Sequence, residues 1–387
     1  MRRLSVKNFG PIKDVNIEIK QFNLFIGEQC VGKSTIAKLI AIFTDYFSLG
    51  NLIQEGHTAW RLLVDSFDMS HYIKEHKEYI LEYHWEENEW LFIVTITAEN
   101  VDIYCEVAGN VVKDKFAIGF ETLRKAPIFH DSTTISLNKL RKENPEEMAK
   151  MLTSVFRDAL YIPAERSVGG YLKNLLPALN LVSAIVPKNM LRYLTEWNNA
   201  RAAMNDIEIP LFGVKYSNSQ DEDWIVLSED DKIQLPNTSS GMQSTIPLLL
   251  VSMYGVNEKE YASFVVEEPE CNLFPQKQVE LLRTLVGVVY HNGRMLTITT
   301  HSPYILTALN TLILTNERLK ESLEMKEKVS NYISEEFTLP YESVAAYGMR
   351  DGKSFSIMDD EYRMVSAEAL DLVSEQLDVD YNYLLNL

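Results

Sequence analysis

Residues 22–35 have the sequence Phe22-Asn23-Leu24-Phe25-Ile26-Gly27-Glu28-Gln29-Cys30-Val31-Gly32-Lys33-Ser34-Thr35, in which an apolar segment leads into the pattern G-x-x-x-x-G-K-S. A helical pattern follows over residues 36–47. A P-loop requires this context, because backbone N–H groups and a helix N-terminus converge on phosphate there. The stretch therefore predicts a strand, a phosphate-binding loop and a helix, with Lys33 on the β- and γ-phosphates and Ser34 on Mg²⁺.

The composition is that of a globular protein with a sizeable core. The chain has 387 residues, of which 46% are hydrophobic and 24% are charged. No apolar run reaches the roughly 18 residues of a membrane span, and the polar N-terminus is unlike a signal peptide. The three cysteines share no metal-like or disulfide-framework spacing. We therefore expect a cytoplasmic protein with no membrane partner.

The formal net charge of −18 bears on possible partners. A wide DNA-binding face is usually basic, because phosphate contacts dominate affinity for duplex DNA. The charge therefore does not indicate nucleic-acid binding, although a local site on this chain or on a partner stays open. Acidity that only keeps the chain soluble explains the charge equally well.

The pattern along the chain predicts an α/β fold in three parts. Residues 1–130 hold two short strands, the P-loop and, over 79–120, an alternation of period two that predicts an antiparallel β meander of four strands. Residues 131–236 are expected to be an inserted helical lobe, with helices over 137–158 and 171–205 and a hairpin over 224–235. Residues 237–387 would complete the core.

Two adjacent carboxylates, Glu267 and Glu268, end a second apolar strand. Ligands of parallel α/β sheets lie at the carboxyl ends of the strands. Because side chains alternate along a strand, one carboxylate can face a metal ion while the other faces an attacking water molecule. The alternative is a charged strand end without a catalytic function.

A third apolar strand ends at His301, which follows Glu268 by 33 residues (301 − 268). This interval fits one helix and one strand, so both strand ends can lie on one sheet edge. We predict that His301 contacts the γ-phosphate, although a single histidine is more often structural.

The segment Ser239-Ser240-Gly241 precedes an apolar helical run. Small residues at a helix N-terminus present free N–H groups and the positive end of the helix dipole to an anion. An ordinary serine N-cap is the alternative interpretation.

The order of these four motifs resembles that of the ATP-binding-cassette (ABC) ATPases: Walker A, signature, Walker B and H-loop. Two segments, Glu267 to Pro275 and Tyr161 to Ser167, resemble the OLD-like (overcoming lysogenization defect) ATPases, which are relatives of the SMC and RecF heads. The resemblance spans nearly the whole chain. It implies an ABC-type P-loop ATPase head with ATP and Mg²⁺ as cofactors.

The resemblance also implies a role for each matching residue. Ser34 and Glu267 would bind Mg²⁺, Glu268 would be the general base, and Lys33 and His301 would be catalytic contacts of the γ-phosphate. Ser239, Ser240 and Gly241 would act in trans, on ATP held by the facing subunit of a homodimer or higher homo-oligomer. The residues that would hold ATP within one chain are Gly27, Gln29, Cys30, Val31, Gly32, Lys33, Ser34 and Thr35.

Several positions depart from the family pattern. Cys30 stands where many P-loops have glycine, and Glu267 replaces the usual aspartate. No glutamine occurs in residues 163–167, the place of the Q-loop, so Glu165 or Arg166 would have to replace it. Only 84 residues (387 − 303) follow Pro303, fewer than the roughly 100 that an appended Toprim domain needs. We therefore expect that a Toprim domain is lacking.

The function implied by the resemblance is that of an ATP-hydrolysing switch subunit of a bacterial anti-phage defence system, working with a separately encoded effector protein. It is similar in this to the stand-alone ATPases of the PARIS and Septu systems, and the step rests on family analogy. The inserted lobe is the expected partner surface, although its residues could equally form a plain solvated face. The acidic and aromatic residues considered are Tyr171, Tyr193, Trp197, Asp221, Glu222 and Asp223. Two alternatives stay open: a RecF/SMC-like DNA-repair head, and an ATP-gated scaffold with incidental turnover.

Overall fold

The computed structural model describes residues 1–75, 78–87, 90–107, 110–112, 158–168, 186–219, 222–228, 231–330 and 333–366. The strands are β1 (Arg2–Phe9), β2 (Ile12–Ile19), β3 (Phe22–Gly27), β4 (Ile80–Glu87), β5 (Trp90–Thr97), β6 (Val101–Val107), β7 (Asn110–Val112), β8 (Ala159–Ile162), β9 (Ile207–Ile209), β10 (Val214–Ser219), β11 (Glu222–Ser228), β12 (Asp231–Gln234), β13 (Ser263–Glu267), β14 (Met295–Thr300), β15 (Val344–Arg350), β16 (Lys353–Ser356), β17 (Met358–Asp359) and β18 (Met364–Val365). The α-helices are α1 (Lys33–Thr44), α2 (Tyr46–Glu55), α3 (His57–Ser66), α4 (Ser70–Glu75), α5 (Lys188–Ala203), α6 (Ser240–Asn257), α7 (Pro275–Leu285), α8 (Pro303–Glu321) and α9 (Leu323–Ser330).

One twelve-stranded sheet organises the chain, in the order β7-β6-β5-β4-β1-β2-β16-β15-β3-β14-β13-β8. Strands β15, β3, β14, β13 and β8 pair in parallel, and the meander β4 to β7 extends the antiparallel pair β1–β2. The strands β15, β3, β14, β13 and β8 form the parallel half of the sheet. Strand β16 joins this half to the antiparallel strands, since it is antiparallel to β15 and pairs with β2 through Lys353 and Asp14. Strands β8, β13 and β14 are buried along their whole length, which explains why Glu267, at the end of β13, is their only charged residue.

A hydrophobic core covers each face of the sheet. On one face α1, α2 and α3 pack against β1, β2 and the meander, around residues such as Phe43, Trp60 and Tyr83. On the other face α5, α6, α7 and α8 pack against the parallel strands, around residues such as Leu250 and Leu309. The large sheet therefore fixes the orientation of the helices that begin at its carboxyl edge.

The α/β architecture with its antiparallel meander is confirmed. Strands β1 and β2 lie where the sequence places them, and so does the hairpin β11–β12. The last predicted meander strand begins in β7, and its remainder lies outside the described residues. The same holds for the helix predicted over 137–158, apart from Asp158, and for the first part of the helix predicted over 171–205.

The insert contains a sheet that the prediction of a helical lobe omits. Strands β9, β10, β11 and β12 form a four-stranded antiparallel sheet after α5. Strand β9 has only three residues, too few to show a period of two in the sequence. Residues Ile209, Tyr216 and Ile225 of this sheet belong to the same hydrophobic cluster as Leu24 of β3, so the insert packs directly on the core.

None of the described helices combines the length and apolar character that a membrane span requires.

Candidate active site

Three neighbouring parallel strands bring the predicted site residues to one sheet edge. Strand β14 lies between β3 and β13, with Ile26 opposite Thr300 and Glu267 opposite Thr299. The P-loop follows β3, His301 follows β14, and Glu268 follows β13. The Walker A, Walker B and H-loop segments therefore converge, as carboxyl ends of parallel strands do.

The P-loop has the backbone shape of a phosphate cradle. Gly27 permits close approach of β15, because a Cβ atom there would lie 2.3 Å from the carbonyl oxygen of Met349. Gly32 has a φ of 104° and precedes α1 without a side-chain cap, so the first N–H groups of α1 are free of a capping side chain. Exposed Cys30 has a φ of 61°, in the left-handed region that favours glycine. These free N–H groups fit a nucleotide phosphate.

A hydrogen-bonded chain connects the P-loop lysine to the second carboxylate. Lys33 Nζ donates to the carbonyl oxygens of Gly27 (2.8 Å) and Glu28 (2.5 Å) and lies 3.4 Å from His301 Nδ1. His301 Nε2 lies 2.9 Å from Glu268 Oε1. Because an ammonium group only donates, Nδ1 accepts, and Nε2 therefore carries the proton and donates to Glu268. Burial lowers the pKa of Lys33, and the charges of Glu268 and Glu270 oppose this shift.

The two adjacent carboxylates occupy different environments. Glu267 is 5% exposed, whereas the Glu268 side chain is 30% exposed and faces His301. Glu268 has a φ of 42°, so the strand ends there and the chain turns. Backbone strain of this kind is retained where the surrounding structure holds it. The two side chains therefore have different surroundings, while their assignment to a metal ion and to an attacking water stays a prediction.

Glu267 and Ser34 have the chemistry of a magnesium site. Oxygen Oε1 of Glu267 is buried without a hydrogen-bond partner among the described residues. Burial raises the pKa of Glu267, and the positive charge of Lys38 and hydrogen bonds from Tyr161 and Ser34 oppose this shift. No cluster of three or more His, Cys, Asp or Glu side chains in the described ranges could hold a metal ion alone. A carboxylate and a hydroxyl fit Mg²⁺ shared with nucleotide phosphates.

Glu270 connects the turn after β13 to the end of β14, which sequence reasoning missed. Its Oε1 accepts hydrogen bonds from Thr300 Oγ1 at 2.5 Å and from the backbone N–H of His301 at 2.9 Å. Ser302 caps α8 and donates to Gln278 Oε1 at 2.5 Å. Glu270 therefore fixes His301 relative to Glu268. The repeated acidic pattern Glu267-Glu268-Pro269-Glu270 is the only sequence signal of this role.

Arg166 does not present a side chain in place of the Q-loop glutamine. Its guanidinium group is fully buried and donates to five carbonyl oxygens. The acceptors, with their distances, are Ser244 (3.2 Å), Pro163 (3.2 Å), Glu267 (2.7 Å), Glu268 (2.8 Å) and Pro269 (3.0 Å). Of the two residues considered in place of the glutamine, Arg166 is therefore committed to backbone carbonyl groups, whereas exposed Glu165 stays a prediction. Arg166 holds the backbone of the Walker B turn against α6.

The Ser239–Gly241 segment lies against the turn that follows β13. Ser239 is the N-cap of α6 and accepts a hydrogen bond from the backbone N–H of Met242 at 3.4 Å, as the alternative interpretation expected. A Cβ atom at Gly241 would lie 2.9 Å from the carbonyl oxygen of Asn272. Ser239 and Ser240 are exposed. Within one chain, Ser239 contacts the first turn of α6 and Gly241 lies against the turn after β13, whereas Lys33, His301 and Glu268 form a separate group.

Most described residues of the expected partner surface are buried. Tyr193 and Trp197 are fully buried on α5, and Asp223 is 1% exposed in the sheet of the insert. Asp223 accepts hydrogen bonds from Arg201, Tyr216 and Asn218. These residues build the interior of the insert and cannot contact a partner.

The site and fold agree with the comparison to protein families. The chain belongs to the AAA ATPase domain family, whose sequence model matches residues 1–168 and 172–306. It is therefore an ATP-binding P-loop ATPase. No curated protein matches the chain significantly.

Several solved structures are similar to the chain at low sequence identity. An SMC head bound to the C-terminal winged-helix domain of ScpA is 11% identical with a TM-score of 0.46, over 94% of this chain and 99% of that chain. The SMC head domain from Thermotoga maritima is 13% identical with a TM-score of 0.40, over 92% and 97%. The recombination mediator RecF is 11% identical with a TM-score of 0.38, over 92% and 97%. At these scores the family match and the sheet order, rather than these likenesses, define the class.

Proposed function

We propose that this ATPase is a dimeric, magnesium-dependent switch in which Glu268 is the general base. One observation carries the proposal: the hydrogen-bonded chain Lys33–His301–Glu268 crosses the ends of β3, β14 and β13. This chain places a cation, an imidazole and a partly exposed carboxylate at the mouth of the phosphate cradle. Phosphoryl transfer to water uses a cation on the phosphates and a residue that positions or deprotonates the attacking water, and Lys33 and Glu268 can supply these two functions.

Each residue contributes a separate part of the reaction. Lys33 exchanges the carbonyl oxygens of Gly27 and Glu28 for phosphate oxygens when ATP enters the cradle. His301 donates from Nε2 and keeps Glu268 directed at the site, while Glu268 accepts a proton from the attacking water. Ser34 and Glu267 would hold Mg²⁺, which neutralises phosphate charge when it is bound.

The Ser239–Gly241 segment would complete the site of a facing subunit. Ser239 and Ser240 are exposed at the N-terminus of α6, where N–H groups and the helix dipole favour an anion. A head-to-tail homodimer, or a higher homo-oligomer, would place this terminus on the ATP held by the other chain. Neither chain alone would then hydrolyse ATP efficiently.

Mixing experiments test the shared site. Ser240→Asp adds a charge at the first residue of α6, where an acidic side chain is compatible with the helix, and the charge would repel the γ-phosphate of the partner's ATP. Specific activity should rise with protein concentration, and the variant should inhibit wild-type chains. Ser228→Asp, an exposed charge in the insert, is the matched control and should not inhibit. Activity that is independent of concentration, together with no inhibition, would contradict the shared site.

The proposed biological role is in bacterial anti-phage defence, with a separately encoded effector. The motif resemblance to OLD-like ATPases supports it, and a difference in effector affinity between ATP states of ~1–3 kcal/mol would be enough for switching. The test is capture of the neighbouring gene product by wild type and Glu268→Gln, with and without ATP. Nucleotide-dependent capture of a nuclease or another effector supports the role. Equal capture under all conditions, or a neighbouring replication or permease gene, would contradict it.

A further inference from the structure

The turn after β13 brings the thiol of Cys271 within hydrogen-bond distance of the Glu268 carboxylate. Cys271 Sγ donates to Glu268 Oε2 at 3.3 Å, whereas His301 Nε2 donates to Oε1 at 2.9 Å. The two oxygens of one carboxylate are thus held by two residues from different segments. Because the carboxylate torsion of glutamate is broad, two donors on opposite oxygens fix an orientation that one donor leaves free to rotate.

Cys271 itself is held in place by its backbone. Its N–H donates to the carbonyl oxygen of Glu268 at 3.1 Å, and its own carbonyl oxygen accepts from Ser244 Oγ of α6 at 3.2 Å. Arg166 binds the carbonyl oxygens of Glu267, Glu268 and Pro269 in the same turn. The thiol therefore approaches Glu268 from a fixed backbone position.

The thiol is suited to donate and not to act as a nucleophile. Burial and the hydrogen bond to Glu268 raise the pKa of Cys271 to about 12. The thiol therefore stays protonated under ordinary assay conditions, and an S–H group next to a carboxylate can serve as a donor.

We propose that Cys271 is a positioning residue that sets the orientation of the Glu268 carboxylate toward the attacking water. The inference rests on the proposed function, in which Glu268 is the general base. Removal of the donor would leave ATP binding intact, because Cys271 contacts the base and not the P-loop. The effect should therefore appear in kcat and not in KM, since only the geometry of proton transfer changes.

A matched pair of variants tests the proposal. Cys271→Ala should lower kcat by about 3- to 10-fold, in line with the loss of one hydrogen bond from a weak thiol donor, at unchanged KM and nucleotide affinity. Cys271→Ser keeps a donor of similar size and should restore most of the loss. In the Glu268→Gln background, Cys271→Ala should have no further effect on single-turnover hydrolysis, because the base is already absent. Ser252→Ala, which removes a buried hydroxyl of α6 bonded to Leu248, is the control for general packing effects.

The outcomes separate this inference from the function on which it rests. Wild-type kcat in Cys271→Ala, with Glu268→Gln inactive, would overturn the positioning role alone. An equal loss in the serine and alanine variants would also overturn it, because packing rather than donation would then be lost. Wild-type turnover in Glu268→Gln would instead contradict the proposed function itself. Thermal unfolding of each variant establishes that the chains compared are folded.

Discussion

Two polar networks of this chain, one in the insert and one at the sheet edge, differ in how far their charged side chains are exposed to solvent. In the insert, the Asp223 carboxylate accepts from Arg201 Nε (2.6 Å), Tyr216 OH (2.7 Å) and Asn218 Nδ2 (3.2 Å). Both charged side chains are almost fully buried there, at 3% and 1% exposure. At the sheet edge, Glu268 is 30% exposed.

The sheet edge also contains a buried acceptor atom that has no hydrogen-bond partner among the described residues. Oxygen Oε1 of Glu267 has no such partner, in a side chain buried next to Ser34. The Asp223–Arg201 ion pair has several hydrogen-bond partners and almost no access to solvent, so a ligand cannot reach it. A network with a buried free acceptor beside an accessible carboxylate has capacity for a ligand. Burial of charge alone therefore does not identify a functional site.

Breaking the network of the insert should have a large effect on stability and none on chemistry. Asp223→Ala removes a buried carboxylate that accepts from Arg201, Tyr216 and Asn218, and breaking a buried ion pair in this way costs about 3–5 kcal/mol. Urea unfolding should show this loss, while kcat at low temperature stays within twofold of wild type. Glu222→Ala, the exposed neighbouring acid, should change stability by less than ~0.5 kcal/mol. A tenfold loss of kcat in folded Asp223→Ala would show that the insert contributes to catalysis.

The comparison also shows why part of the site could be predicted from sequence. Gly27, Glu267, Glu268 and His301 stand at or directly after a strand end, and Lys33 begins the helix that follows the P-loop, so local pattern and spacing place them together. The sheet then brings these ends to one edge without further information, because the strands are parallel and adjacent.

The remaining features depend on distant parts of the chain. Arg166 lies in a polar Pro-Ala-Glu-Arg segment that looks solvent-facing, and its burial depends on carbonyl groups up to 103 residues away. The sequence pattern does not predict the burial of Trp197 and Asp223, because their partners include Tyr216 and Asn218 of the unpredicted strand β10. Three-residue strands and buried ion pairs have no periodic signature in a sequence.

Two described histidines with hydrogen-bond partners allow a contact at the sheet edge to be compared with a contact elsewhere in its contribution to kcat. His301→Ala removes the donor to Glu268 and the contact to Lys33, so kcat should fall by about 10²-fold. His291→Ala removes the contact of Nε2 with the carbonyl oxygen of Thr338 at 2.8 Å and a ring contact with Tyr290. Neither contact involves Lys33 or Glu268, so kcat should stay near wild type. Steady-state ATPase assays on both variants check this. Equal losses would mean that His301 acts through folding alone.

The smallest expected effect concerns the backbone of the P-loop. Cys30→Gly relieves a side chain at a φ of 61° in an exposed position, and stability should rise by about 0.5–1 kcal/mol. Asp68 is also exposed and has a φ of 56°. Asp68→Gly should raise stability less than Cys30→Gly does, because aspartate tolerates the left-handed region better. Urea midpoints of the two variants measure the difference. A loss of stability in Cys30→Gly would show that the thiol makes a stabilising contact.

The steady-state turnover of Glu268→Gln tests the central claim most directly. The substitution keeps the size and polarity of the side chain but removes the base, so kcat should fall by ~10²–10⁴ while equilibrium ATP binding stays intact. Lys33→Ala, measured in parallel, should weaken ATP binding itself, because it removes the cation in the cradle. Wild-type turnover in Glu268→Gln would contradict the account and move the search for the base to Glu267 or Glu270.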